Sequence, residues 1–99
     1  MYVGALNLDL LLGDVRSRKQ KRSAVRPIVA EVQRNFPAVA VAETGHLDLY
    51  RRAEVGIAIV SSTAAHCVEV LESCEHLVAS LPEIELLAAR QRLFNDEEE

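Results

Sequence analysis

Six basic residues, Arg16, Arg18, Lys19, Lys21, Arg22 and Arg26, fall within eleven positions that contain no acid. Guanidinium and ammonium donors at that density suit phosphate, because they neutralise a polyanion and release its counterions. On a continuous helix Arg18, Arg22 and Arg26 succeed one another at four-residue spacing, while Lys21 falls one turn before Val25 on the apolar stripe. The first turns must then project past the edge of the core, or their side chains must snorkel outward. The run is read as a solvated helix end or as a site for an anionic partner, with a protein contact as the third reading.

A second constellation, Glu43, His46, Asp48, Arg51 and Arg52, surrounds a turn at Gly45-His46-Leu47-Asp48. A histidine with two carboxylates can do acid/base work or hold a metal. No Ser or Cys nucleophile lies close in sequence, however, and Gly4 and Gly13 match no dinucleotide or P-loop spacing. These five residues are therefore read as fixing a turn, or an oligomer contact, through ion pairs. A metal site from His66, Cys67, Cys74 and His76 is weaker still: on one helix the two histidines stand about 80° and roughly 15 Å apart, and no pair has zinc-finger spacing. No catalytic residue, metal or cofactor is expected. Reading single-stranded RNA on a sheet needs stacking aromatics on central strands. The aromatics are Tyr2, Phe36, Tyr50 and Phe94, none of them expected mid-strand, so an RNA contact would be made to backbone or folded shape.

Positioning these groups takes six elements. Residues 2–12 alternate, with Tyr2, Gly4, Leu6, Leu8, Leu10 and Leu12 on one side and Asn7 and Asp9 on the other. Period two predicts a strand with one core face and one open face. Val25, Ile28, Val29, Val32 and Phe36 lie within about 100° of arc on a helix. That helix starts near Ala24 with Pro27 in its first turn, or at Ser17 as N-cap with a kink at Pro27; the second start is favoured. Residues 38–44 and 53–60 read as antiparallel strands. Ser61, Ser62 and Thr63 supply N-cap chemistry for a second amphipathic helix carrying Cys67, Val70, Leu71, Cys74, Leu77, Val78 and Leu81. Pro82 ends it, and a last strand runs from Ile84 to about Arg92. The order β-α-β-β-α-β predicts an α+β, ferredoxin-like sandwich, a four-stranded antiparallel sheet with two helices on one face. It forms a single domain over residues 1–94, with residues 95–99 as an acidic, disordered tail.

At 99 residues the chain has room for these elements and for no insertion large enough to build a separate catalytic pocket. The formal net charge of -4 argues against a nucleic-acid partner at first sight. Asp96, Glu97, Glu98 and Glu99 hold four negative charges, so without them the chain is neutral, with a cationic patch near one end. The tail is expected to fold back over that patch. Cys67 and Cys74 on one helix would have Cα atoms about 10 Å apart, beyond the roughly 7 Å limit of a disulfide, which fits a reducing, cytoplasmic compartment. The apolar start contains Asp9 and lacks a basic n-region, so neither a signal peptide nor a membrane span is expected.

Ser17-Arg18-Lys19-Gln20-Lys21-Arg22-Ser23 with Val25 resembles the SLKEKRS-V motif of the YlxP-like family, small bacterial proteins classed as a domain of unknown function. Ala42-Glu43-Thr44-Gly45-His46-Leu47-Asp48-Leu49-Tyr50-Arg51-Arg52-Ala53 is similar to its second motif, AEVGHQDLWQRA, and residues 55–61 also fit. The likeness runs to about Leu93. It implies a ferredoxin-like fold. Because the family's genes commonly lie among those for transcription, translation and ribosome maturation, it also implies a connection with RNA or the ribosome. It supplies no catalytic residues. Lys19, Lys21, Arg22, Glu43, His46, Asp48 and Arg52 occupy motif positions. Arg18 stands where the family has leucine and Gln20 where it has glutamate; both changes add positive charge and are expected to leave the first helical turn less firmly docked.

The expected function is that of a non-enzymatic, cytoplasmic accessory protein that contacts structured RNA, above all ribosomal RNA, through the residues of the basic run. The rival is a homo-oligomeric interaction module using the open sheet face, with Val3, Ala5 and Leu11 beside Asn7 and Asp9, or using the edge strands. No small-molecule substrate or membrane partner is expected.

Overall fold

The leucine side of the first segment does face inward: Leu6, Leu8, Leu10 and Leu12 are each at most 1% exposed. They form the floor of the core in a computed structural model that describes residues 1–96. The elements are β1 (Tyr2–Leu12), α1 (Arg18–Asn35), β2 (Ala40–Gly45), β3 (Arg52–Ser61), α2 (Ala64–Ala79) and β4 (Ile84–Asn95). The sheet order is β2-β3-β1-β4, and all neighbours are antiparallel. This is the ferredoxin-like βαββαβ arrangement. Val25, Ile28 and Val32 of α1 and Cys67, Leu71, Cys74 and Val78 of α2 close over the leucines together with Ala53, Val55, Ile57 and Ile59 of β3. Helix α2 lies so close to β1 that a Cβ on Gly4 would stand 2.8 Å from Leu71 Cδ1. Among the described residues no helix is long and apolar enough to cross a membrane.

Helix α1 starts at Ser17, as favoured. The Ser17 hydroxyl accepts from the Gln20 backbone N–H at 3.1 Å, and Gln20 Oε1 accepts from the Arg16 backbone N–H at 2.6 Å. Two donors at the helix entrance are thus satisfied reciprocally, a variant of the capping box. The expectation that Gln20 loosens the first turn is therefore corrected, because its amide oxygen does the work of a capping carboxylate. Pro27 lies inside the helix. It is tolerated because Pro27 and Ser23, whose carbonyl loses its partner, are both exposed and water can satisfy that carbonyl.

Two strand boundaries move by two residues or more. Strand β2 begins at Ala40 instead of residue 38, since Phe36 to Val39 form a turn closed by the Val39 N–H donating to the Phe36 carbonyl at 3.1 Å. Strand β4 runs to Asn95 instead of stopping near Arg92, pairing along the whole of β1 until Asn95 meets Tyr2. Asp96 accepts from the Met1 amino group at 2.8 Å, so Asn95 and Asp96 belong to the ordered domain and not to the expected tail. The rest of that tail, residues 97–99, lies outside the described residues.

Candidate functional site

The basic run divides. Arg16, Arg18, Lys19, Arg22 and Arg26 are exposed, but Lys21 is only 6% exposed. Its place on the apolar stripe turns it inward, where Nζ lies 3.0 Å from Glu43 Oε2 and donates to the His46 carbonyl at 2.5 Å. This buried oxygen has no hydrogen-bond partner among the described residues, so the contact is an ion pair alone. Lys21, expected among the phosphate-binding side chains, is instead the strut between α1 and the β2–β3 turn.

That turn requires a strut. His46 has φ of 56°, a left-handed conformation that costs a non-glycine residue about 1 kcal/mol or more. Its carbonyl accepts from Lys21 and also from the Leu49 N–H at 3.0 Å. Its ring passes to the other side of the sheet edge, with Nε2 3.3 Å from Asp9 Oδ1. Asp9 in turn accepts from Arg52 through both oxygens, Oδ1 from Nε at 3.3 Å and Oδ2 from a terminal guanidinium nitrogen at 2.5 Å. Ion-paired and hydrogen-bonded groups therefore run from α1 through the turn to the open sheet face: Lys21, Glu43, His46, Asp9 and Arg52. Thr44 and Glu54 add a hydrogen bond of 2.9 Å across the irregular register between β2 and β3.

The other motif residues occupy the rim. Arg51 donates to the Gly13 carbonyl at 3.3 Å and so clips the turn to the β1–α1 connection. Arg18 and Asp48 approach to 3.9 Å with both side chains largely in water, a contact worth less than about 1 kcal/mol. Arg16 pairs with Asp14 at 3.0 Å. Lys19, Arg22 and Arg26 have no acidic partner among the described residues. At 100° per residue, Arg18, Lys19, Arg22 and Arg26 fall within about 100° of arc along one exposed flank of α1. Arg52 is held by Asp9 on the opposite face of the sheet, so it is not part of the cationic surface of α1. The expected fold-back of the acidic tail is also corrected for Asp96, which is held at the start of β1, a strand length of roughly 35 Å from the start of α1.

Glu43, His46 and Asp48 do not converge. Glu43 points to Lys21, His46 to Asp9, and Asp48 to water and Arg18. Sequence reasoning missed Asp9, whose link to His46 and Arg52 depends on strand register. It also missed a groove of about 870 Å³ between the first half of α1 and the α2–β4 connection, floored by Leu12, Val15, Ile28 and Ile84 with Lys19 and Glu31 on its walls.

The solved structures agree on the fold. The de novo designed protein Foldit4 superposes with a TM-score of 0.56 at 15% identity, covering 97% of this chain and 99% of that one. The solution NMR structure of the de novo designed protein LFR1 1 with ferredoxin fold gives 0.52 at 12% identity, with 99% and 89% coverage. In sequence, the chain is 32% identical over 92 residues to the uncharacterized protein YlxP of Bacillus subtilis (strain 168), covering 93% of this chain and 99% of the relative. A family described as "Protein of unknown function (DUF503)" matches residues 3–91, which include both motifs, the Lys21 strut and the open-face network. The chain belongs to this YlxP-like family, DUF503.

Proposed function

We propose that this protein is a non-enzymatic binder of structured RNA, ribosomal RNA foremost, that grips the phosphate backbone with an exposed flank of α1. The observation that supports this reading is the division of the basic run. One cation is spent internally, while Arg18, Lys19, Arg22 and Arg26 form an exposed stripe about 12 Å long. Three of its four members lack an acidic neighbour among the described residues. The helix entrance adds to it, with no acid in the first turn and the positive end of the helix dipole beside Arg18 and Lys19. A stripe of this kind reads charge and shape, in keeping with the absence of aromatics from the middle of the central strands among the described residues. The gene neighbourhood implied by the family resemblance points to the ribosome as the source of the RNA.

The test is sedimentation of lysate through sucrose gradients at low and high salt. Four phosphate contacts predict an affinity loss of about 100-fold between 50 and 200 mM salt, seen as protein moving from the ribosomal fractions to the top. The triple substitution Lys19→Glu, Arg22→Glu and Arg26→Glu should abolish co-sedimentation while leaving the melting temperature nearly unchanged, since all three side chains stand in water. Lys21 is left intact, because a glutamate there would face Glu43 in the interior. Protein that stays at the top of the gradient at low salt refutes the reading.

A further inference from the structure

From Leu87 to Phe94, strand β4 is bare on three sides. Residues 87–94 are eight consecutive exposed positions, although alternate members should be covered if the helix layer reached this edge of the sheet. It reaches only Ile84 and Leu86 at the start of the strand: Leu93 is 42% exposed on the helix side and Phe94 is 50% exposed on the open side, and the outer edge of β4 has no strand neighbour among the described residues. Natural sheets protect such edges or use them.

The charges on β4 are ordered and unspent. Glu83 and Glu85 lie at its beginning, Arg90 and Arg92 near its end, and none of the four has an ion-pair partner among the described residues. A parallel neighbour of the same sequence would set Glu against Glu and Arg against Arg. An antiparallel one centred on Gln91 would oppose Arg90 to Arg92. Centring on Ala89, with the extra residue Leu87 of each copy bulged out of the ladder, instead brings each Arg92 to the partner's Glu85 and each Leu93 to the partner's Ile84. The register irregularity opposite Asp9 and Leu10 makes these pairs face correctly. Glu85 pairs with Leu11 and Arg92 with Ala5, so both lie on the open face. Ile84 pairs with Leu12 and Leu93 with Gly4, so both lie on the helix face. Strict alternation would have put Glu85 and Arg92, seven residues apart, on opposite faces. At the centre Ala89, on the helix face, meets its own copy, while Ala88 on the open face stands opposite the partner's Arg90.

We propose that β4 is the interface of a homodimer in which two copies pair these strands antiparallel about Ala89, joining two sheets into one of eight strands. Ion pairs from Arg92 to Glu85 set the register and the choice of partner, while Leu93 against Ile84 and the backbone ladder supply affinity.

Sedimentation equilibrium of the full chain tests this. The wild-type protein should have twice the 10.9 kDa chain mass, and Arg92→Glu should halve it by opposing two carboxylates. Adding Glu85→Arg to Arg92→Glu should restore the doubled mass, because the reversed charges pair again. Both positions are exposed, and far-UV circular dichroism checks that each variant is folded. A wild-type protein that remains monomeric into the millimolar range overturns the proposal. So does a dimer indifferent to Arg92→Glu, or one that the double reversal fails to rescue.

Discussion

Lys19 and Lys21 stand two residues apart in the same basic run, yet removing their charges should have opposite consequences. Lys21→Met keeps the apolar stem and deletes the ammonium, stranding Glu43, whose side chain is 25% exposed, and freeing the His46 carbonyl. Breaking a buried pair from one side costs about 3 to 5 kcal/mol. The partial exposure of Glu43 lets water recover some of this, so about 2 to 4 kcal/mol is expected. A domain of this size holds roughly 5 to 15 kcal/mol in all, and a loss of about 3 kcal/mol lowers Tm by about 12 to 24 °C. Urea unfolding followed by circular dichroism measures the loss directly. Lys19→Met should change stability by no more than about 0.5 kcal/mol. Lys21→Met with Glu43→Leu should recover most of the loss, since it removes the stranded charge along with its partner, giving a coupling energy of about 2 kcal/mol in a double-mutant cycle. If Lys21→Met costs less than about 1 kcal/mol, or the cycle closes additively, Lys21 is not the strut and the division of the basic run fails.

The remaining predictions concern the core. Gly4→Ala puts a methyl 2.8 Å from Leu71 Cδ1 and 3.1 Å from Cys67 Cβ, so the buried Leu71 side chain must move and Cys67 must give slightly, at a cost of about 1 to 3 kcal/mol in urea unfolding. Cys67 and Cys74 are both fully buried, and burial pushes the Cys74 thiol up to about 11. A thiol reagent should therefore label the native protein only as fast as it opens, with both thiols reacting at once in denaturant. The sign of the pH dependence follows, because the native state holds the Cys74 proton more tightly than the unfolded chain. Its contribution is complete below the ordinary thiol value of 9.0 and is lost as pH rises through about 11. Equilibrium unfolding across that alkaline window should show falling stability, and Cys74→Ala should remove that component of the slope.

The order of elements is legible because each helix or strand that covers the core shows its period in the apolar residues. Residues 6–12 alternate because one face of β1 meets helices, and Ser17 marks a helix start because its hydroxyl completes the cap. The strands fade from the sequence where their burial fades: nothing covers Leu87 to Phe94, so no period marks the end of β4. The candidate site was legible only in part. Lys21 carried one signal, its place on the stripe a turn before Val25, and that signal fits a projecting side chain as well as a buried one. What decides between them is Glu43, supplied by a strand whose register local sequence does not specify. Asp9 was visible as a polar residue on the open face, but its meeting with His46 and Arg52 follows from the β1–β3 pairing and the left-handed turn at His46.

The two proposed surfaces lie at opposite ends of the sheet, and this bears on how they combine. Helix α1 packs on β2, and β2 and β4 are the two edges of the order β2-β3-β1-β4. On the proposed pairing β4 becomes central, and the two β2 strands become the outer edges, seven strand spacings or about 34 Å apart. Each basic stripe then faces away from the dyad, so dimerisation neither buries nor opposes the cations. The charge left at the edge follows the same division: Arg92 is balanced by Glu85 of a second copy, whereas Lys19, Arg22 and Arg26 have no acid to meet on either copy among the described residues. Reversing charge on α1 should therefore weaken RNA binding at constant mass, and reversing Arg92 should change mass while leaving each stripe intact. Affinity for an RNA long enough to span both stripes would fall in the second case through lost bivalency, with no contact to the RNA removed.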